Sequence, residues 1–284
     1  RLRLGAERAH GAVAHRERRL DGIRRVHDED TAVDEHDVGR IGHGLRPLSG
    51  AHRSDAAECA AVAGGAYPVD VARVILIRHG ETDWSRDGRW QGWTDVPLND
   101  KGLQQARDIV EPLARQHPTH LAVSDLERAR QTIQPLADAL GMEPMIDGDL
   151  REIDVGAWAG LTHAEAAARD SEGAARHDAG GTGWTDGETY ADVAERGMAA
   201  LVRLTDDLPE SALLVVVAHG GLIGAVVGRA LGLTAEEQRR RIGRPSHGHA
   251  TYLRRDAEWR LLAFNAPLGG PPPVELTEIG RAHV

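Results

Sequence analysis

Two short apolar runs constrain this chain more than any other feature: Val71-Ala72-Arg73-Val74-Ile75-Leu76-Ile77 and Leu213-Leu214-Val215-Val216-Val217-Ala218. Both are rich in β-branched residues, the texture of a strand buried on both faces. Both also end the same way, the first in Arg78-His79-Gly80 and the second in His219-Gly220-Gly221. In an open α/β sheet, ligands collect at the carboxyl ends of the strands, so two histidines would meet there. A lone histidine after a strand is more often a hydrogen-bonded structural residue. The repetition, with a glycine behind each to permit close backbone approach, points instead to a site.

The segments around these runs read as helices and lesser strands. Lys101 to Gln116 places Leu103, Ala106, Ile109, Val110 and Leu113 at helical spacing, with Asn99 or Asp100 as the cap. His120 to Val123 reads as a short strand, and Glu127 to Leu140 as a helix stopped by Gly141. Tyr190 to Leu208 is a further amphipathic helix. The apolar stretch from Ala212 to Leu233 contains His219, Gly220, Gly221 and Arg229, so it reads as strand, turn and helix and not as a membrane span. Thr251 to Leu253 and Trp259 to Phe264 form a closing hairpin. Strands alternating with helices predict an α/β three-layer sandwich, a largely parallel sheet with helices on both faces.

Three regions are expected. Residues 1–70 sustain no helical or strand period and carry six histidines, His10, His15, His27, His36, His43 and His52, at spacings that match no two-histidine metal pattern. They read as a poorly ordered extension. Residues 71–268 form the domain, and 269–284 a proline-rich tail. The whole has 284 residues, 41% of them apolar, enough for a sizeable core.

Composition excludes several classes of function. The formal charge is −10 and the basic residues are scattered, which argues against nucleic acid as a partner and for a small solvated substrate. Lysine occurs once, at Lys101 in a turn-like Asp-Lys-Gly, so no phosphate-binding P-loop is present. No G-x-S-x-G elbow marks a serine hydrolase. The single cysteine, Cys59, requires no oxidising compartment, and the first residues lack an apolar signal segment. A cytoplasmic protein with no membrane partner is expected, and a second copy of the chain is the macromolecular partner left open.

A third element of the site follows the short strand, where Ser124-Asp125-Leu126-Glu127-Arg128-Ala129-Arg130-Gln131-Thr132 opens a helix beside Arg128. Together with Arg78-His79-Gly80-Glu81-Thr82, Arg89-Trp90-Gln91-Gly92, Asp95-Val96-Pro97-Leu98, Leu150-Arg151-Glu152 with Gly156-Ala157-Trp158-Ala159-Gly160, and Ala218-His219-Gly220-Gly221, it resembles the histidine phosphatase superfamily, the phosphoglycerate mutase-like proteins. The match runs from Val71 to about Pro267.

That resemblance implies a phosphohydrolase needing neither metal nor cofactor. It gives His79 the role of nucleophile, Arg78 and Arg128 the role of phosphate clamps, His219 that of the second pocket histidine and Glu152 that of proton donor. The chemistry agrees: planar guanidinium forks suit the oxygens of a phosphoryl group, and a neutral imidazole with a fixed tautomer is a good nucleophile. Gly220 stands where some relatives carry an aspartate donor, which moves that role to Glu152. Ser85 stands where asparagine is common, a shorter phosphate contact, and Gln91 resembles a contact at the phosphate rim. Trp84, Trp90, Trp93 and Trp158 fall near these motifs and are candidate pocket walls, or simply core.

Mutases of the glycolytic type carry Glu-Arg-His-Tyr-Gly at the donor; this chain has Glu152-Ile153-Asp154-Val155-Gly156, which removes two cations and favours hydrolysis. Leu150 to Ala164 and His219 to Ile223 look particularly like the actinobacterial glucosyl-3-phosphoglycerate phosphatases. The expected substrate is a small phosphate ester, glucosyl-3-phosphoglycerate in the sharpest version. The competing readings are a broad-specificity phosphatase, a mutase-type phosphotransferase and a non-catalytic phospho-ligand-binding module. The glycine-rich stretch from Ser171 to Glu188 is expected to be irregular and to form the pocket rim.

Overall fold

The computed structural model describes residues 72–209 and 211–270. The expected extension, residues 1–70, and all but the first two residues of the expected tail lie outside the described residues. Six strands, β1 (Ala72–Arg78), β2 (His120–Val123), β3 (Met145–Ile146), β4 (Leu213–Ala218), β5 (Ala250–Arg255) and β6 (Trp259–Ala266), form one sheet in the order β3-β2-β4-β1-β5-β6. The pairs β3–β2, β2–β4 and β4–β1 are parallel, and β5 runs antiparallel to both β1 and β6. The sheet is therefore mixed, parallel at its centre, with the closing hairpin added at one edge.

Nine α-helices are described: α1 (Asp83–Arg86), α2 (Asp100–Asp108), α3 (Val110–Ala114), α4 (Glu127–Leu140), α5 (His163–Arg169), α6 (Ser171–Asp178), α7 (Tyr190–Thr205), α8 (Gly220–Ala230) and α9 (Ala235–Arg241). Strand alternation sorts the core into two halves. Ile75, Ile77, Val215 and Val217 pack with Leu113, Ile133 and Leu136 from α3 and α4. Val74, Leu76, Leu214 and Val216 pack with Val193, Leu201, Leu222 and Val226 from α7 and α8. Helices cover both faces, the three-layer sandwich expected from two doubly buried strands.

Local differences from the sequence reading have physical causes. The helix expected over Lys101 to Gln116 is interrupted at Ile109, because Pro112 has no N–H for the Asp108 carbonyl and its ring crowds that oxygen. The stretch from Ser171 to Glu188, expected to be irregular, contains α6, and α5 and α9 are further helices that no expectation covers. The signals for α5 and α9 were capping boxes, Thr162 with Glu165 and Thr234 with Glu237. Among the described residues no helix is long and apolar enough to cross a membrane.

One side chain ties α7 to the loop that carries Glu152. Arg196, largely buried, pairs with both carboxylate oxygens of Glu188 at 2.8 Å. It also donates to the carbonyls of Asp149 (2.8 Å), Arg151 (3.0 Å) and Glu152 (3.2 Å). Glu188 accepts in turn from the amide of Asp154 at 2.9 Å. Arg196→Gln removes the charge and most of these donors, leaving a largely buried carboxylate without its cation. We expect a loss of about 3 kcal/mol in denaturant unfolding; an unchanged midpoint would show that the loop is held by other contacts.

Candidate active site

The register of the two central strands builds the site. Arg78 lies opposite Ala218, and the amide of His79 donates to the Ala218 carbonyl at 3.0 Å. His79 and His219 therefore leave the sheet at the same level, with ring centroids 5.1 Å apart. Strand β2 ends beside them: the amide of Ser124 donates to the Val217 carbonyl at 3.1 Å. Both histidines and Ser124 are buried.

A backbone carbonyl sets the tautomer of the first ring. His79 Nδ1 donates to the Gly80 carbonyl at 2.7 Å, which leaves Nε2 with its lone pair. Ser124 Oγ accepts from the Leu126 amide at 3.4 Å and shares a hydrogen bond of 2.9 Å with His219 Nε2. His219 Nδ1 is buried and has no partner among the described residues. Burial holds both rings well below the ordinary value of 6.5, reinforced for His79 by His219 and for both by the arginines, so both are neutral at pH 7.

Arg78 and Arg128 complete the cradle. Arg128, fully buried in the first turn of α4, donates to the carbonyls of Thr94 (2.9 Å) and Gly92 (2.8 Å). Arg78 donates to the Pro245 carbonyl at 2.8 Å. In both side chains Nε is buried and unpaired among the described residues. Burial pulls each guanidinium down to about 10, opposed by the negative charge of Glu152, and both stay charged at neutral pH. Two guanidinium Nε donors and the Nδ1 of His219 thus stand unpaired beside a neutral nucleophile, a set suited to the oxygens of a phosphoryl group.

Glu152 sits at the start of α8. Its oxygens accept from the amides of Ile153 (2.9 Å), Gly221 (3.1 Å) and Leu222 (3.2 Å). A Cβ on Gly221 would lie 2.4 Å from Glu152 Oε1, and one on Gly220 would lie 3.2 Å from Arg78 Nε. The glycine pair makes room for these two side chains. Gln91 accepts from Thr82 Oγ1 at 2.9 Å, and its amide nitrogen has no partner among the described residues. Ser85 is used locally: its hydroxyl accepts from the Thr82 amide and donates to the Thr82 carbonyl, both at 2.9 Å, closing the cap of α1. That proton is spent on the cap.

The loop before β5 contributes residues that the sequence reading missed. His247 Nδ1 donates to the His79 carbonyl at 2.7 Å, and the Gly248 amide donates to the Arg78 carbonyl at 3.0 Å. With Pro245 holding the Arg78 guanidinium, this loop clasps the end of β1. Thr132 adds a further brace, its Oγ1 accepting from the Gly80 amide at 3.0 Å. Of the tryptophans, Trp158 is core, Trp90 packs on it at 5.7 Å, and Trp93 donates to the Glu152 carbonyl at 2.7 Å. Trp84 packs against Gly160.

The model of the histidine phosphatase superfamily (branch 1) matches residues 74–267. The chain belongs to that superfamily. It is a phosphatase of small phosphorylated metabolites, as the resemblance implied. It is 39% identical to the "Probable phosphoglycerate mutase GpmB" of Enterobacter sp. (strain 638) over 171 residues, covering 59% of this chain and 79% of that protein. It is 38% identical to the "Glucosyl-3-phosphoglycerate phosphatase" of Mycolicibacterium vanbaalenii over 176 residues, covering 58% and 77%. The solved mycobacterial glucosyl-3-phosphoglycerate phosphatase with VO3 superposes with a TM-score of 0.62 at 34% identity, covering 68% of this chain and 98% of that one.

This histidine phosphatase carries a pH liability in its site. His79, His219 and His247 are all held below 6.5 by burial, His247 at about 4. The unfolded chain, with histidines near 6.5, binds protons that the folded chain refuses. Stability is therefore complete above pH 6.5 and is lost as the pH falls towards 4. Each histidine contributes a slope of about 1.4 kcal/mol per pH unit. We expect the melting temperature to fall steeply between pH 6.5 and 4.5, and less steeply in His247→Gln; identical profiles would contradict the assignment for His247.

Proposed function

We propose that His79 Nε2 attacks the phosphorus of a phosphate monoester in line with the ester oxygen. The N–P bond forms as the P–O bond breaks, and the departing alkoxide takes a proton from Glu152, whose carboxylate first receives it from the monoanionic phosphate of the bound substrate. Arg78, Arg128 and His219 hold the phosphoryl oxygens, with Gln91 at the rim and the Gly220 backbone giving Arg78 its place. Water, losing a proton to Glu152, then attacks the phosphohistidine and releases phosphate. The observation that carries this scheme is the neutral, tautomer-fixed His79 beside the buried, unpaired Nε donors of Arg78 and Arg128. Every group named comes from one chain, and the single cysteine fits a cytoplasmic setting.

Hydrolysis is favoured over mutase transfer by a specific feature. Ile153 is buried in the core, and Asp154 Oδ1 accepts from the Gly156 amide at 2.9 Å, so neither position supplies a cation for a second substrate group. The substrate that fits best is glucosyl-3-phosphoglycerate, in line with the names of two of the similar proteins.

Specificity constants for glucosyl-3-phosphoglycerate, 3-phosphoglycerate and p-nitrophenyl phosphate, measured with and without a chelator, test this reading. We expect the glucosyl ester to be preferred by at least tenfold, about 1.4 kcal/mol of transition-state stabilisation, with no effect of the chelator. Equal constants would replace it with a broad-specificity phosphatase. Glu152→Gln should slow alkyl esters by about 100-fold or more yet barely affect p-nitrophenyl phosphate, whose phenolate leaves without a proton. Equal losses on both would remove Glu152 from the acid role.

A further inference from the structure

Helices α5 and α6 bring together three side chains of metal-binding type that the scheme above does not use. His163 is the first residue of α5, and His177 and Asp178 are the last two of α6. One ligand atom from each lies within 4.8 Å of those of the other two, the one such group of His, Cys, Asp or Glu among the described residues. Asp178 Oδ1 sits between the rings, 2.9 Å from His163 Nε2 and 3.4 Å from His177 Nδ1. Ligand atoms around a tetrahedral zinc ion stand about 3.3 Å apart, so small side-chain rotations admit an ion where two ring protons now point. The rings are also held before any ion arrives. His177 packs against Trp90, Trp158 and Trp184, with ring centres 5.1, 5.5 and 6.2 Å away, and His163 stands perpendicular to Trp158 at 6.2 Å. His163 is half-buried and Asp178 exposed, which gives an ion a way in from solvent.

The surroundings of His177 cut both ways. Burial, and then the charges of Arg239 and Arg244, hold it below its ordinary value, so protons do not compete for its lone pair at neutral pH. Arg239 is also a direct competitor. It lies 3.0 Å from His177 Nε2, and a guanidinium has no lone pair to accept with, so this hydrogen bond requires Nε2 to accept and the ring proton to rest on Nδ1, towards Asp178. A metal on Nδ1 requires that proton on Nε2, and Arg239 must then withdraw. It keeps the Gly181 carbonyl and the face of Tyr190, 4.5 Å from the ring centre, when it does so. On His163 the proton moves likewise from Nε2 to Nδ1. Each ring stays neutral with one proton, and no net proton is released. Arg239 and the ion are mutually exclusive partners of His177.

We propose that His163, His177 and Asp178 form a zinc site that fastens the end of α6 to the start of α5, with water completing the coordination shell. Two imidazole nitrogens and one carboxylate oxygen suit Zn²⁺, whereas Mg²⁺ and Ca²⁺ take oxygen ligands. None of the three residues belongs to the phosphate cradle. The site is therefore structural, and hydrolysis at His79 proceeds whether it is filled or empty.

Competition against a chromophoric chelator, on the full chain, measures zinc affinity, and Co²⁺ in place of zinc gives a visible spectrum that reports coordination. The six histidines before residue 71 are further zinc ligands, so each result is a difference between native and variant chains. His163→Ala and Asp178→Asn each change an accessible residue and spare the packed His177 ring. The first should weaken the tight zinc equivalent by about 100-fold and the second by about tenfold, and both should remove the visible bands of four-coordinate cobalt. Arg239→Gln should tighten zinc by about tenfold, because the competing cation is gone. A native chain that binds zinc no more tightly than His163→Ala, or cobalt bands that persist in that variant, would overturn the site. Zinc that is lost in His163→Ala yet indifferent to both Asp178→Asn and Arg239→Gln would place the ion elsewhere on His163 and overturn the three-ligand site as well.

Discussion

The hydrogen bond from the His79 amide to the Ala218 carbonyl continues the β1–β4 pairing one residue beyond the sheet, and the site depends on that extension. Because Arg78 lies opposite Ala218, the next residue of each strand must emerge at the same level. A slip of one residue would turn His79 and His219 to different faces, since strand side chains alternate. The register is held by burial on both faces: Ile75, Ile77, Val215 and Val217 on one, Val74, Leu76, Leu214 and Val216 on the other. The geometry of two catalytic-type side chains is thus inherited from the most rigid part of the fold.

What that rigid frame holds is electrostatically unfavourable by itself. Two buried guanidinium groups stand beside two neutral imidazoles, with the Glu152 carboxylate as the anion that acts on both arginines. Carbonyls of Gly92, Thr94 and Pro245 take part of the donor capacity, and the Nε donors of Arg78 and Arg128 remain buried and unpaired among the described residues. Unpaired buried donors are costly, and a phosphate dianion offers acceptors for all of them. Burial also keeps the histidines neutral, so the environment that binds the anion is the one that activates the nucleophile.

Much of this was legible in the sequence. The doubly buried strands, the helix from Glu127 to Leu140 with its left-handed Gly141 cap, and the turn at His219-Gly220-Gly221 all have strong local signals. The role of His247 had none. It acts through a backbone carbonyl from a loop with no periodicity, and only the three-dimensional fold brings that loop to β1. Ser85 was expected as a shorter phosphate contact from its motif position alone, and its hydroxyl is engaged in the cap of α1, a local use that the motif does not announce.

The central claim is that the phosphoryl group passes through His79 and no other residue. Rapid quenching of the enzyme with a phosphate ester under neutral or basic conditions, followed by digestion and mass spectrometry, locates that group directly. The account predicts a phosphorylated peptide containing His79, formed and consumed as fast as turnover requires, and absent in His79→Ala. A phosphoryl group found on His219 instead, or turnover that persists in His79→Ala, would contradict it.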